Sequence, residues 1–206
     1  MRGKSMVVLL TGILLCTFLA VNTTVQADKV MVVSLTNYVP HFTADLSKYK
    51  GNRINLLDFD NQAKDTTLGY YFSPDKKTSY MGPSFIDNYF WYSCEKALMS
   101  LGMIVSNRNK PDPHAPAVWM SLKSMSDAKF VVEVKLQKFL YSVSLTKTYT
   151  ITGEDLPAKP EQRTQEYLEK RAYNMTNKLF ETILNDPEFK TAYFKAVADM
   201  APPQVK

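Results

Sequence analysis

The sequence predicts a single α+β domain: a mostly antiparallel sheet of five or six strands, with two long helices and a short C-terminal helix packed on one face. Three observations favour this class. Short segments with period-two alternation occur on both sides of a segment with helical periodicity, and two further helical segments end the chain. The length of 206 residues also suffices for one domain with a sizeable core.

The N-terminus has the layout of a secretory signal peptide. Arg2 and Lys4 precede an apolar run from Val7 to Val21, and small residues then precede Asp28. A membrane span needs about 20 apolar residues, and this run is shorter. Removal of the segment is therefore predicted, and a retained anchor is the less favoured alternative.

The predicted segments of the chain determine its net charge and its number of cysteines after export. Residues 1–27 are the predicted signal peptide, residues 28–200 the domain and residues 201–206 a flexible tail. Loss of the signal lowers the formal net charge of +5 by two, so the charge does not indicate nucleic-acid binding. Cys16 leaves with the signal, because small residues do not precede it as they precede a lipidated cysteine. Cys94 then has no intramolecular disulfide partner, and we expect a core-stabilised protein in a Gram-negative periplasm.

The first half of the domain predicts strands before and after an aromatic segment. Residues 30–35 are β-rich, and residues 53–60 alternate with apolar groups on both faces, as in a central strand. Residues 68–83 read as an aromatic loop or hairpin, because turn signals interrupt them.

A helix and a short strand follow. Ser84 is the predicted N-cap of a helix that runs to Leu101, and Gly102 is placed to end it in a left-handed conformation. Residues 103–105 then form a strand, which together with residues 53–60 predicts a strand–helix–strand unit.

The second half predicts a hairpin, another strand and two helices. Residues 118–125 and 129–139 are strands, and the second alternates cleanly between apolar and polar faces. The alternation changes parity near 138–142, which predicts a bulge or turn before a further strand. A long helix is predicted from Glu161 to Leu184, and Asp186 with Pro187 starts the last helix.

Two apolar stripes occur on the helix at 84–101. One stripe is predicted to dock on the sheet, and it comprises Ile86, Phe90, Cys94, Ala97 and Leu101. The other comprises Phe85, Tyr92 and Met99. We expect the aromatic segment 68–83 to cover this second stripe, and an exposed contact patch is the alternative. The long C-terminal helix also carries two apolar stripes.

Catalytic and metal-binding patterns are not found. His41 and His114 lack partners at ligand spacing, so no metal or cofactor is predicted. Asp58, Asp60 and Asp65 bracket a strand end, where capping or solvated roles are favoured over catalysis. Glycine-rich phosphate cradles and nucleophile elbows are missing as well. The sequence therefore favours a protein without enzymatic activity.

Four segments together resemble a family: NRINLLDFDNQ, YFWYSCEKALMSLGMIV, FVVEVKLQKF and LFETILND. They are similar to the ABC-type transport auxiliary lipoproteins and related small envelope proteins of Gram-negative bacteria. The likeness covers most of residues 53–190 and rests on hydrophobic patterns such as Leu98, Leu101, Gly102 and Val105. The resemblance implies a non-enzymatic adaptor, although this chain lacks a lipidation cysteine.

The expected function is an accessory component of a cell-envelope complex for transport, secretion or appendage assembly. Envelope proteins are the expected partners, self-association and outer-membrane contact stay open, and a retained transmembrane helix is not expected. The partner-binding residues proposed from the sequence are Phe85, Tyr92, Met99, Tyr70, Tyr71 and Phe72. One alternative is a periplasmic module that binds lipid or another small hydrophobic ligand in a cavity lined by the rings of residues 70–92. Another is a hydrolase that uses Asp58 or Asp60.

Overall fold

The computed structural model describes residues 29–33, 35–66, 70–74, 77–81, 85–138 and 142–200. The predicted signal peptide, the predicted tail and Ser84 lie outside the described residues. The strands are β1 (Lys29–Val32), β2 (Arg53–Asn61), β3 (Tyr70–Phe72), β4 (Thr78–Met81), β5 (Ile104–Asn107), β6 (Ala117–Met125), β7 (Lys129–Lys138) and β8 (Ser142–Thr152). The helices are α1 (Ile86–Ser100), α2 (Gln165–Asn185) and α3 (Pro187–Met200).

Five strands form the main sheet in the order β5-β2-β6-β7-β8. The central strand β2 is parallel to β5 and β6, and the β6–β7 and β7–β8 pairs are antiparallel. The predicted α+β class with one main sheet is thus confirmed, and its pairing is mixed. The sequence predicts a bulge or turn near 138–142, and the register shifts between Leu136 and Gln137, just before that range.

A second, three-stranded sheet has the order β1-β4-β3. β3 and β4 form an antiparallel hairpin, and β1 joins β4 in parallel. The aromatic segment is therefore a hairpin in a small sheet of its own. The Tyr80 ring of this hairpin is buried, and its hydroxyl donates to Asp127 in the turn between β6 and β7.

The three helices cover one face of the main sheet. Alternate residues of β7 on this face are fully buried, namely Phe130, Val132, Val134 and Leu136. Phe90 of α1 stacks on Phe59 of β2 with ring centroids 4.9 Å apart and meets Phe130 edge-on at 5.3 Å. The opposite face of the sheet is polar, and Glu133 there pairs with Lys123 at 3.3 Å and Lys135 at 3.5 Å. A domain with helices on one face of a sheet results.

Helix ends follow the predicted chemistry in most places. Gly102 has φ 74°, as predicted for the end of α1. Asp186 caps α3, because its Oδ1 accepts from the Glu188 amide at 2.8 Å. The predicted start of α2 at Glu161 is wrong: residues 160–162 form a 3-10 turn, and Thr164 caps the helix instead. Within the described ranges, none of the helices combines the length and apolar character needed to span a membrane.

Candidate contact surface on helix α1

One side of α1 packs in the core as its sequence predicts. Phe90, Cys94 and Ala97 are buried against the sheet. Burial, with Glu95 adding to it, raises the pKa of the Cys94 thiol. The thiol is therefore protonated at neutral pH and acts as a small hydrophobe, which confirms the prediction for this residue.

A second side of α1 contacts α2 and an N-terminal segment. Tyr89 shares a hydrogen bond of 2.7 Å with Thr176 of α2, and burial raises the pKa of this tyrosine. Tyr38, also buried, donates to Oδ1 of Asn177 at 2.8 Å, and Lys96 donates to the Tyr38 carbonyl at 3.4 Å. These contacts fix the rotation of α1 about its axis and so determine which residues face outward.

The third side of α1 faces outward and is apolar along its middle. Phe85, Tyr92 and Met99 are 53%, 58% and 60% exposed, respectively. We refer to these three residues as the α1 stripe. Trp91 is half-buried and meets the Tyr92 ring edge-on, with centroids 5.1 Å apart. Three large apolar side chains are thus aligned at the surface of α1.

The predicted cover of the α1 stripe is wrong. The aromatic segment leaves all three side chains more than half exposed. The physical reason is that the segment finds its partners elsewhere, since β4 pairs with β1 and Tyr80 is buried against the β6–β7 turn. Residues 70–72, the other part of the sequence-predicted contact site, form β3, and their side chains lie outside the described set.

Phe85 has a structural role that the sequence pattern did not indicate. It occupies the N-cap position of α1, and its side chain makes no capping hydrogen bond. The predicted N-cap, Ser84, is therefore wrong by one residue, and Ser84 itself lies outside the described residues. The first turn of α1 carries Asp87, which favours the positive end of the helix dipole.

Each of the acidic residues around β2 bonds to a different partner. Asp58 pairs with Arg108 at 3.3 Å, and Asp60 accepts from the Trp119 indole at 3.0 Å. Asp65 accepts from the Ser124 hydroxyl at 2.6 Å and from the Met125 amide at 3.1 Å. The three carboxylates thus hold neighbouring elements of the main sheet together, instead of taking the capping or solvated roles favoured from the sequence.

Metal ligands are not assembled in the described part of the chain. It holds no group of three or more His, Cys, Asp or Glu side chains that could bind an ion. The His41 amide donates to Asn177 of α2 at 3.0 Å, and the His114 amide donates to Asp112 in a loop turn at 2.8 Å.

Grooves along β8 were missed by the sequence analysis. One, of about 590 Å³, lies between the end of β8 and α2, and another, of about 700 Å³, lies between β8 and α3. The second groove is lined by apolar residues such as Leu145 and Ala192 and by charged residues such as Lys195 and Asp199. The alternation of β8 predicted its buried face, but a groove depends on how far the helices stand from the strand edge, which no local pattern encodes.

Comparisons with known proteins give a likeness of fold. No family model and no curated protein matches the chain. The crystal structure of protein XCC0632 from Xanthomonas campestris, of family DUF330, matches with TM-score 0.50 and 8% identity over 76% of this chain and 95% of that chain. The crystal structure of an uncharacterized protein matches with TM-score 0.42 and 8% identity over 75% of this chain and 97% of that chain. The likeness to the Xanthomonas protein shows a shared fold, and the second likeness carries no argument.

Proposed function

We propose that this protein is an exported, non-enzymatic accessory component of a bacterial cell-envelope complex and that it acts by protein contact. The α1 stripe carries the proposal. It is an apolar surface on a helix whose opposite side already supplies the core, so folding of the domain does not require it to be apolar. The signal-like N-terminus and the resemblance to transport auxiliary lipoproteins support an envelope location.

Crosslinked pull-downs from cells of the source bacterium test the contact. The native chain should recover envelope proteins, and a variant with Phe85→Asn, Tyr92→Glu and Met99→Gln should lose them. The control replaces three exposed threonines on β8 by asparagine, namely Thr146, Thr148 and Thr150. Equal recovery by all three chains would exclude the α1 stripe, and recovery of no envelope protein by the native chain would overturn the proposal.

Export has its own test. The purified chain from a periplasmic fraction should begin at or near Asp28 by intact mass, because the small residues before it suit signal cleavage. A chain that keeps residues 1–27 and stays in the cytoplasm would contradict the envelope location.

Lipid binding is the second candidate function. The rings of Tyr89 and Phe90 are packed in the core. The groove between β8 and α3 offers a hydrophobic ligand apolar contacts at Leu145 and Ala192, beside the charged Lys195 and Asp199. Native mass spectrometry of the purified protein should then show a co-purifying lipid that Ala192→Trp removes. A clean ligand-free mass would count against this candidate.

A further inference from the structure

The α1 stripe lies in the middle of the exposed side of its helix. At about 100° per residue, Phe85 and Met99 fall about 20° to either side of Tyr92. Two exposed polar residues border this line at about 40°, Asn88 on one side and Lys96 on the other. The exposed side of α1 is therefore a narrow apolar line with polar borders, centred on Tyr92.

The spacing of the α1 stripe suits contact with another helix. Residues seven apart lie about 10.5 Å apart along a helix axis and drift around it by only about 20°. Helices that cross at about 20° meet through residues at this spacing. A helix is therefore the element that fits along the whole line.

The α1 stripe is also complementary to itself. In an antiparallel pair of α1 helices with a two-fold axis at Tyr92, the two Tyr92 rings meet and Phe85 faces Met99 of the second copy. A thioether beside an aromatic ring is a favourable contact. We infer that α1 binds α1 of a second copy of this chain, so that the accessory unit of the proposed function is a dimer and the α1 stripe serves envelope contact by holding the two copies together.

The polar borders match in the same arrangement. The two-fold rotation places each border against its own equivalent, so Asn88 comes near Glu95 of the second copy, whose carboxylate accepts from the amide. On the other side the aliphatic stem of Lys96, whose Nζ donates to the Tyr38 carbonyl, packs beside the Phe85 ring of the second copy. Like charges are not brought together by this pairing of borders.

The dimer interface is small. An aromatic side chain buries about 150–250 Å² when it is covered completely. Because the three stripe residues are more than half exposed, two copies remove on the order of 600 Å² of apolar surface from water, before the borders are added. This area is about half of the roughly 1,200 Å² at which stable specific interfaces begin, so the dimer is weak and depends on concentration.

Cysteine crosslinking of the purified exported chain tests the geometry. With helix axes about 8–10 Å apart and Cα atoms about 2.3 Å from each axis, the two Cα atoms at position 92 are separated by about 3.5–5.5 Å. That range overlaps the separation of about 4.4–6.8 Å found in disulfides. Tyr92→Cys should therefore form a covalent dimer on mild oxidation, while buried Cys94 gives no background.

Positions away from the two-fold axis provide the matched controls. Phe85→Cys alone and Met99→Cys alone should form no covalent dimer, because the two equivalent positions are about 21 Å apart in the pair. An equimolar mixture of the two variants should form a disulfide-linked dimer. Sedimentation equilibrium should show a reversible dimer for the native chain, and Tyr92→Glu should weaken it at least tenfold. A native chain that is monomeric at all concentrations, with no Tyr92→Cys crosslink, overturns the inference. So does a covalent dimer of Phe85→Cys alone, because it indicates a parallel pairing.

The two proposals fail in different ways. The inference rests on the proposed function, in which the α1 stripe is a protein contact surface. If crosslinked pull-downs recover envelope proteins and Tyr92→Cys does not dimerise, the inference that α1 binds a second copy is wrong and the accessory function stands. If Tyr92→Cys dimerises but no envelope protein is recovered, the accessory function is wrong and the dimer stands.

Discussion

Helices α1 and α2 each carry two apolar stripes, but the second stripe is covered on α2 and open on α1. On α2 it comprises Tyr173, Phe180 and Leu184; the last two are buried, and the Tyr173 ring lies 6.0 Å from that of Tyr38. On α1 the corresponding three side chains are more than half exposed. A second apolar stripe on a helix therefore does not by itself indicate a contact surface. What decides is whether another part of the same chain covers the second stripe.

The cover of α2 is the N-terminal segment 37–49, which we call the strap. Its hydrogen bonds run along α2, from the Asn37 amide on the Tyr173 hydroxyl at 3.1 Å to the Tyr49 hydroxyl on the Leu184 carbonyl at 2.7 Å. Between them Glu181 accepts from the Thr43 hydroxyl at 2.7 Å and the Ala44 amide at 2.6 Å. Polar anchors on α2 thus place the strap over its apolar residues, and the outward side of α1 receives no such cover.

Replacing one phenylalanine on each helix by alanine should give the largest difference in the free energy of unfolding. Phe180→Ala removes a ring that is 3% exposed and leaves a cavity, so we expect a loss of about 3–5 kcal/mol in the free energy of unfolding. Phe85→Ala removes an exposed ring and should change it by no more than about 0.5 kcal/mol. Urea denaturation at a concentration that keeps the chain monomeric measures both, and equal losses would contradict the comparison.

Removal of single hydroxyl groups should give a smaller difference. Tyr49→Phe leaves the buried Leu184 carbonyl without its hydroxyl donor, which should cost about 1–3 kcal/mol. Tyr92→Phe, on the open side of α1, is the control and should be neutral within about 0.5 kcal/mol. Chemical denaturation again provides the values. A neutral Tyr49→Phe would show that this hydrogen bond does not contribute to holding the strap.

Acid should weaken the strap through Glu181. Burial tends to raise the pKa of this carboxyl, but hydrogen bonds from Thr43 and Ala44 outweigh burial and leave the pKa below its ordinary value of 4.5. Because the folded pKa is lowered, the stabilisation is complete above about pH 4.5 and is lost as the pH falls through the folded value. Urea midpoints measured at several pH values should therefore show native and Glu181→Gln chains converging in acid.

A matched control for that titration lies on α1. Glu95→Gln replaces a carboxylate of α1 that makes none of the strap hydrogen bonds described above, so its effect on the urea midpoint measures the substitution alone. A constant difference between native and Glu181→Gln chains down to the lowest pH at which the protein is folded would refute the ionic part of the anchor.

Thiol reactivity should separate the two sides of α1 with little change in stability. Cys94 is buried, so a thiol reagent reaches it only when the domain opens, and opening at a stability of about 5 kcal/mol slows the reaction by at least about a thousandfold. Under reducing pretreatment, Tyr92→Cys should react at the rate of an unfolded peptide. Ellman assays follow both rates, and fast labelling of the native chain would disprove the burial of Cys94.

Local patterns predicted most elements because the determinants are close together in sequence. Gly102 and the Asp186–Pro187 pair mark helix ends within one turn, and the alternation of β7 gives its buried face directly. The helical wheel also identified which residues of α1 share a side. The separate small sheet was not predicted, because it depends on the parallel pairing of β1 with β4, about fifty residues later in the chain.

The state of the contact surface could not be predicted for the same reason. Exposure of the α1 stripe depends on where the strap binds, and the strap is directed by Asn177 and Glu181, which lie more than 130 residues further along the chain. In the sequence these two residues read as ordinary polar positions on the outside of a helix. Their role is visible only once α2 and the strap are seen side by side.

The distance along the chain between the strap and α2 sets an order of events during biosynthesis. Tyr38 and its partner Asn177 are 139 positions apart, so the early segment must wait for nearly the entire polypeptide to emerge before it can be fastened. Contacts of such long range are slow to form. A nascent chain stalled before α2 would thus leave the apolar residues of the strap exposed. The domain is complete only when the last helices have been translated and bind the strap.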